Sequence, residues 1–247
     1  MKLWQTVITA AGEDNASFQR GGIDLPKNLI PFGDSTILGT SISSYSLHDD
    51  KTHVMIRSDE AEKWKTDKIL STAISGVQFH RIPRATRGAL CSAAMALDFL
   101  ESDLPLVITS GDSFIGGDLL KLIPLFFSKG ASAGTLLFQD SLPRWSFARL
   151  GRDDKILEMA EKSPISTYAS TGLFYFRSAE LFMRAAEWVL KENMHTNGEF
   201  YLSSALNYLI MNGEKVLGVE LSSGYNYVPL STFSDLQRAL KEKNASI

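Results

Sequence analysis

The sequence lacks several features that would point to particular classes of protein. Its 247 residues include one cysteine, Cys91, which cannot form a disulfide within the chain. The formal net charge is -3, so nothing attracts the chain as a whole to nucleic acid or to an anionic membrane. None of the four histidines has the spacing of a zinc site. We therefore expect no nucleic-acid partner, and any basic site must be local.

Long hydrophobic runs are missing as well. The opening MKLWQTVITAAG is too polar for a secretory signal, and the later run LLKLIPLFF is too short to span a bilayer. No repeat, low-complexity tract or Pro/Ser-rich linker divides the chain. These absences predict a cytoplasmic protein with no membrane partner, built as one domain over residues 1–247.

The apolar runs that are present follow the order of βαβ units in the first half of the chain. Residues 4–10, THVMIR, VQFHRI and LPLVITS are typical of strands, and EAEKWKTDKIL and ALCSAAMALDFL of helices between them. Continuous apolar strands such as TVITA suit a parallel sheet that is covered on both faces. Another helix should begin near residue 37, with Asp34 or Ser35 as its N-cap.

The alternation of predicted strands and helices ends after residue 130. The runs GTLLFQD, SFARLG, ILEMAEK and TGLFYF predict consecutive strands, followed by helices from about Glu180 and Glu199. A strand at KVLGVEL and a helix from about Phe233 complete the chain. We predict an α/β fold whose central sheet is mixed, parallel in the first half of the chain and with antiparallel additions in the second half.

Three loops at strand ends should meet at one edge of this sheet. In the first, AAGEDNASFQRGGIDLPKN over residues 10–28, small residues let backbone N–H groups approach a phosphate, and Lys27 adds a positive charge. The loop also carries two acids, Glu13 and Asp14, which oppose an anionic ligand. A solvated surface lysine is the alternative for Lys27.

The second and third loops offer a carboxylate and a second lysine. In VITSGDSF, Asp112 follows a buried strand and suits a hard cation such as Mg²⁺, which needs one or two carboxylates besides substrate phosphates. An Asx turn or a helix cap is the alternative for Asp112. In EMAEKSPIS, Glu161 and Lys162 end a strand, and a solvated ion pair is the alternative for them.

Taken in order, these segments resemble the sugar-phosphate nucleotidyltransferases, meaning the sugar-1-phosphate nucleotidylyltransferases and their capsule- and lipopolysaccharide-type relatives. The opening TVITAAG…SFQRGGIDLPKNLIPFGDSTIL is similar to the family's first signature, and HRIPRATRGALCSAAMAL to its segment beside the nucleobase. PLVITSGDSFI is similar to the strand that ends in the metal-binding aspartate. RWSFARLGRDDKILEMAEKSPIS, ASTGLFYF and NGEFYLSSALNYLI are similar to the substrate-half motifs of the capsule-type relatives.

The resemblance implies a single-domain, Rossmann-like nucleotide-binding fold of the glycosyltransferase-A-like type, with a mixed, mostly parallel central sheet. It also implies that a phosphate oxygen of an acceptor attacks the α-phosphorus of a nucleoside triphosphate and that pyrophosphate leaves. It implies Mg²⁺ or Mn²⁺ as cofactor, a phosphorylated small molecule as acceptor, and two halves of the domain. Residues 1–130 would bind the nucleotide and residues 131–247 the acceptor. Exposed residues of the later strands and helices could pair subunits, so a homo-oligomer is left open.

The family's functional positions are matched residue by residue. The catalytic positions are Lys27, Asp112 and Lys162, and Asp112 is also the metal ligand. The nucleotide-binding positions are Ala10, Ala11, Gly12, Lys27, Thr86, Gly88, Ala89 and Gly111. The acceptor-binding positions are Trp145, Glu161, Lys162, Thr171, Gly172 and Glu199. Trp145 either stacks on the substrate or belongs to the core. A metal with two lysines is what in-line transfer to a phosphorus requires, because the protein supplies positioning and charge rather than a nucleophile.

One departure from the family pattern lies in the first loop. Ser17 stands where an arginine normally precedes the position of Phe18. Loss of one donor to the transition state costs about 3–4 kcal/mol. Arg20, or one arginine of HRIPRATRGA, is a candidate replacement, with a solvated basic edge as the alternative. The arginines of that segment are Arg81, Arg84 and Arg87.

The other departure lies near the end of the chain. Pro229 stands where many relatives have a second metal-binding acid, and Asp235 falls too far into the last predicted helix to replace it. Several capsule-type relatives also lack an acid at this position.

Three functions remain open. The first is a nucleotidyltransferase that acts on a sugar phosphate or a similar metabolite for surface-polysaccharide synthesis. Ser17 and the two loop acids favour the second, a catalytically impaired relative that binds a nucleotide or sugar nucleotide as a regulatory partner. The third is a nucleotide-sugar glycosyltransferase, which shares the general fold but typically uses a DxD metal motif, whereas GDS has one carboxylate.

Overall fold

The fold was described from a computed structural model, which covers residues 4–12, 15–45 and 51–245. Glu13 and Asp14, the two acids of the first loop, lie outside the described residues. The strands are β1 (Gln5–Thr9), β2 (Pro31–Phe32), β3 (Ser35–Thr36), β4 (Thr52–Arg57), β5 (Val77–Ile82), β6 (Leu106–Ser110), β7 (Ser113–Gly116), β8 (Ala133–Gln139), β9 (Ser146–Leu150), β10 (Ile156–Glu161), β11 (Tyr168–Phe176), β12 (Val216–Glu220) and β13 (Asn226–Pro229). The helices are α1 (Ala16–Arg20), α2 (Ile37–Tyr45), α3 (Ser58–Trp64), α4 (Thr66–Ala73), α5 (Ala89–Ala94), α6 (Leu119–Ser128), α7 (Ala179–Lys191), α8 (Leu202–Met211) and α9 (Phe233–Ala245).

A mixed sheet of nine strands forms the centre of the molecule, in the order β10-β9-β11-β6-β1-β4-β5, with β8 paired to β11 and β12 paired to β8. The strands β6, β1, β4 and β5 are parallel to one another. The strand β11 runs antiparallel to β6, β8 and β9. The predicted α/β fold with a mixed sheet and antiparallel additions is therefore confirmed.

Both faces of the sheet are covered. Val7 packs into a core cluster with Ile108 and Phe176 on one face, and its neighbour Ile8 packs into a second cluster with Val54 and Leu136 on the other. Adjacent strand residues point to opposite faces, so burial on both faces requires the continuous apolar runs seen in the sequence. In the described part of the chain, no helix is long and apolar enough to cross a membrane.

The helices differ from prediction in their boundaries. The stretch EAEKWKTDKIL forms two helices, because Lys65 between them adopts the left-handed conformation with φ 56°. The cap of α2 is Thr36, whose hydroxyl oxygen accepts from the Gly39 N–H, and not Asp34 or Ser35. After α5 the chain continues in a turn and a short 3₁₀ segment, Leu97–Phe99, rather than in the longer helix expected.

The strand β7 was not predicted from the sequence. It determines the position of β13 and of Leu230, which follows β13. It pairs antiparallel with β13, and the Leu230 N–H donates to the carbonyl oxygen of Asp112 at 2.8 Å. The following helix, α6, is capped by Asp118, whose side chain accepts from the Leu120 N–H. The helix-cap alternative for Asp112 is therefore wrong.

Candidate active site

A cavity of about 620 Å³ opens at the carboxyl ends of β1 and β6. All eight residues expected to bind nucleotide line it, together with Asp112, Glu199 and Tyr201. The bond from the Gly111 N–H to the Thr9 carbonyl, at 2.9 Å, holds the two strand ends together. Ligands of open α/β sheets bind at this edge, because the loops that follow the strands gather there.

Lys27 and Asp112, 85 residues apart in sequence, meet at this cavity. The Lys27 Nζ lies 2.6 Å from Asp112 Oδ2, and both side chains are about four-fifths buried, with exposed fractions of 17% and 21%. Burial disfavours the charged form of Asp112, but the charge and hydrogen bond of Lys27 outweigh burial and lower the pKa of this carboxyl below its usual value. The site thus holds an ionised carboxylate beside a cation.

Gly88 joins two distant segments at the opposite wall of the cavity. Its φ is +102°, and a Cβ at this position would lie 2.4 Å from the carbonyl oxygen of Phe200. The Phe200 N–H donates to the Arg87 carbonyl at 2.8 Å, and the Phe200 carbonyl accepts from the Leu90 N–H at 3.2 Å. Only glycine permits this approach. It brings Glu199 and Tyr201 to the cavity from the second half of the chain.

Lys162 lies in a second cluster with these two residues. Its Nζ donates to the Tyr201 hydroxyl at 2.6 Å and lies 3.9 Å from Glu199 Oε2. The Tyr201 hydroxyl in turn donates to Glu199 Oε2. Burial, followed by the hydrogen bond and charge of Glu199, raises the pKa of Tyr201 well above its usual value. The phenol therefore stays protonated and links Lys162 to the cavity.

The comparisons with known proteins can now be set beside this geometry. The family model for nucleotidyl transferases matches residues 23–223. The chain belongs to this nucleotidyl transferase family. The resemblance drawn from the sequence motifs is confirmed.

Solved structures share the fold of this nucleotidyltransferase. The nucleoside-diphosphate-sugar pyrophosphorylase from Vibrio cholerae RC9 is 20% identical, with a TM-score of 0.81, over 96% of this chain and 100% of that one. A chain from Bacillus anthracis assigned as a glucose-1-phosphate thymidylyltransferase, in complex with a sucrose, is 20% identical, with a TM-score of 0.72, over 97% and 94% of the two chains. A search among proteins of curated function returned no match.

Glu161 does not pair with its neighbour Lys162 in this nucleotidyltransferase. It accepts hydrogen bonds at Oε2 from the hydroxyls of Ser146 and Ser203, the latter at 2.9 Å. Burial raises the pKa of Glu161 above its usual value, against the opposing effect of the two hydroxyls. The alternative of a solvated ion pair between Glu161 and Lys162 is therefore wrong.

Three other residues expected at the acceptor lie outside the lining of the cavity. Thr171 is fully buried, and its hydroxyl donates to the Leu136 carbonyl at 3.2 Å. Gly172, with φ +80°, lies in the irregularity of β11 and has open space where a Cβ would be. Trp145 packs edge-on against Phe138 and Tyr227, with ring centroids 5.4 Å and 5.8 Å away.

Ser17, at the position of the missing arginine, faces away from the cavity. Its hydroxyl accepts from the Phe233 N–H at 3.2 Å, at the start of α9. The residues of this segment that line the cavity are neutral: Asn15, Ala16 and Gln19. The packing of α1 against α9 therefore uses Ser17, the position at which the motif resemblance predicts an arginine.

The predicted replacement arginines do not line the cavity either. Arg81 pairs with Asp67 at 2.6 Å, and Arg87 donates to the Gly198 carbonyl at 3.1 Å. A different arginine lies at the loop: the Nη1 of Arg57, at the end of β4, donates to the Gly12 carbonyl at 3.3 Å. The sequence contained a signal for it, since Arg57 ends a strand predicted to lie in the same parallel sheet as β1.

The donor set at the cavity suits one hard cation. Pro229, the position predicted for the family's second acid, pairs with Ser113, the residue after Asp112, and brings no carboxylate there. Asp235 is 2% exposed and accepts from Arg144 at 2.8 Å and 3.0 Å. The described residues contain no group of three or more His, Cys, Asp or Glu side chains that could hold a metal ion. Family members generally use a divalent metal ion. Asp112 alone would hold Mg²⁺ or Mn²⁺ here, with substrate phosphates and water as the remaining ligands.

Proposed function

We propose that the chain transfers a nucleoside monophosphate from a nucleoside triphosphate to the phosphate of a sugar phosphate or a similar metabolite. The observation that carries this proposal is the Lys27–Asp112 pair, 2.6 Å apart, in a cavity lined by small residues of both strand-end loops. Residues 1–130 bind the nucleotide and residues 131–247 bind the acceptor. Mg²⁺ or Mn²⁺, when bound, neutralises charge on the phosphates.

The residues of the chain position the two substrates. The small residues at 10–12 and at Gly88 and Ala89 leave room for a nucleotide against backbone N–H groups. Lys27 contacts the phosphates of the nucleotide and Lys162 the phosphate of the acceptor. An oxygen of the acceptor phosphate forms a bond to the α-phosphorus, the bond to the β-phosphate oxygen breaks, and pyrophosphate leaves. Such a transfer requires alignment and positive charge, which these residues supply.

The biological setting follows the motif resemblance. The segment NGEFYLSSALNYLI, similar to capsule-type relatives, supports a role in surface-polysaccharide synthesis in the cytoplasm, where nucleoside triphosphates are made. An apolar groove lined by Leu157, Trp188 and Met211, of which Leu157 and Met211 are exposed, supports a homo-oligomer.

A screen for pyrophosphate release tests the reaction. The protein is incubated with each common nucleoside triphosphate, Mg²⁺ or Mn²⁺, and a panel of sugar phosphates. We expect release of pyrophosphate for at least one pair, dependent on both substrates. If an added nucleotide sugar is hydrolysed and no triphosphate is used, the protein is a glycosyltransferase-like enzyme instead.

A second candidate is a relative that binds a nucleotide or sugar nucleotide without turning it over. The observation that favours it is the neutral face of α1, because Ser17 contacts α9 and no arginine lines the cavity among the described residues. Tight nucleotide binding in calorimetry, with no pyrophosphate released in any pairing, would select this candidate.

A further inference from the structure

A second, smaller cavity adjoins the first one. Its volume is about 290 Å³, and it lies against the end of β4 and the start of α3. The two cavities share five lining residues: Gly12, Asn15, Gln19, Lys27 and Asn28. A ligand that lies along the first loop can therefore extend from one cavity into the other.

The two cavities differ in charge. Among the described residues that line the first cavity, Lys27 is the only cation, and it faces Asp112. The second cavity adds Arg57 and Lys63. A triphosphate carries three to four negative charges, so its outer phosphates require cations that the first cavity does not offer in its described part.

Acids also line the second cavity, but two of them are engaged with the protein. Asp59 accepts from the Nε of Arg57 at 2.9 Å. Glu60 accepts from the Asn28 amide at 3.0 Å and from the Thr66 hydroxyl at 3.0 Å. The third, Asp24, is solvent-exposed. Among the described residues that line this cavity, unpaired carboxylates therefore do not dominate the charge.

Arg57 is held in a fixed position by two of its guanidinium nitrogens, Nε and Nη1. Its side chain is 18% exposed, with Nε bonded to Asp59 and Nη1 bonded to the Gly12 carbonyl at 3.3 Å. In the described part of the chain, its Nη2 has no hydrogen-bond partner. A guanidinium with two N–H groups fixed presents the remaining ones in a rigid plane, which matches the geometry of phosphate oxygens.

We propose that Arg57 binds the outer phosphates of the nucleoside triphosphate in this second cavity. It supplies the charge that the family takes from the loop arginine, from the neighbouring strand rather than from the loop itself. This inference rests on the proposed function, since it assigns the β- and γ-phosphates of the same substrate. Arg57 touches the substrate and is thus a substrate-binding residue of the reaction.

Calorimetric binding of a nucleoside triphosphate and of the matching monophosphate tests the assignment. The variants are Arg57→Gln and, as the matched control, Arg81→Gln. Arg81 lies on β5, the strand paired with β4, and its guanidinium is bonded to Asp67 outside both cavities. Circular dichroism and thermal unfolding verify that each variant is folded.

We expect Arg57→Gln to weaken triphosphate binding about 10- to 100-fold and to leave monophosphate binding unchanged, because charge-assisted hydrogen bonds to the outer phosphates are lost. Arg57→Lys should fall between wild type and Arg57→Gln. Arg81→Gln should leave both affinities unchanged.

Three results would overturn the assignment. Equal losses for both nucleotides would mean that Arg57 only shapes the loop through Gly12. Unchanged triphosphate affinity in Arg57→Gln, with or without a loss in Arg81→Gln, would place the outer phosphates elsewhere. If the wild-type protein binds no nucleotide at all, the proposed function itself fails, and this outcome is distinct from the other two.

Discussion

Two carboxylates at the ends of strands, Asp112 after β6 and Glu161 at the end of β10, have opposite environments. Asp112 faces the ammonium of Lys27, and its pKa is lowered although burial acts against ionisation. Glu161 is bonded to two hydroxyls, and burial raises its pKa. A positive charge at hydrogen-bond distance outweighs desolvation, whereas neutral hydroxyl donors do not.

This difference separates the two halves of the site. The half proposed to bind the nucleotide has its anion and cation in contact within the cavity, which suits the proposed binding of a metal and phosphates together. In the half proposed to bind the acceptor, Glu161 ties α8 to β9 and β10 through Ser203 and Ser146, and Lys162 reaches Tyr201 instead. Lys162 follows the last residue of β10 and has a left-handed backbone with φ 55°, so its side chain does not continue the strand, and the Glu-Lys dipeptide forms two separate contacts.

The largest effect should come from Asp112→Asn. Loss of the charge that holds the metal should reduce turnover about 100- to 1,000-fold, while the fold is retained. Pyrophosphate release measured over a range of Mg²⁺ concentrations tests this. The control is Asp118→Asn, since asparagine caps a helix as well as aspartate does and turnover should stay at the wild-type level. Normal turnover of Asp112→Asn would show that the metal is held elsewhere.

Lys162→Gly should reduce activity less than Asp112→Asn does. It should also relieve strain in the backbone rather than destabilise the fold. Lys162 has φ 55°, a left-handed conformation that costs a non-glycine residue about 1 kcal/mol. Glycine relieves this strain, so the unfolding temperature should not fall, while the KM for the acceptor should rise about 10- to 100-fold.

Lys65 provides a matched control for this substitution. It has φ 56° at the junction of α3 and α4, and its Nζ donates to the Glu62 carbonyl there. Lys65→Gly should change the backbone in the same way and leave the KM for the acceptor unchanged. An unchanged KM in Lys162→Gly would remove Lys162 from the acceptor site.

The smallest effect is in the pH dependence of stability. The folded pKa of Glu161 lies above the unfolded value near 4.3, so the folded state takes up this proton first and gains stability as pH falls toward that value. The folded pKa of Asp112 lies below the unfolded value near 3.9, so its contribution is present above that value and is lost as pH falls below it.

Thermal unfolding of wild type, Glu161→Gln and Asp112→Asn from pH 7 to pH 3 separates the two carboxylates. The stability of wild type relative to Glu161→Gln should increase as pH falls from 7 toward the unfolded pKa of about 4.3. The stability of wild type relative to Asp112→Asn should decrease below about pH 4. Parallel curves for the two variants would contradict the opposite pKa shifts.

Much of the nucleotide half could be predicted from local patterns. Lys27, Asp112 and Gly88 follow strands or open helices in segments whose order is that of the family, and each lines the cavity. Arg57 could not be assigned in this way, because its contact with Gly12 depends on the pairing of β4 with β1. The cluster of Arg81, Arg84 and Arg87 gave a stronger signal in the sequence, yet Arg81 and Arg87 are bonded to other partners.

The sequence by itself determined the fold class and the residues at the nucleotide rim, because apolar periodicity and small residues after strands act over short distances along the chain. Only the tertiary structure decided which charges meet. The pairing of β7 with β13 brings Leu230 to Asp112, and the packing of α1 on α9 turns Ser17 away from the cavity. Such contacts join residues more than a hundred positions apart. They are set by strand order and side-chain direction, which the local pattern does not contain.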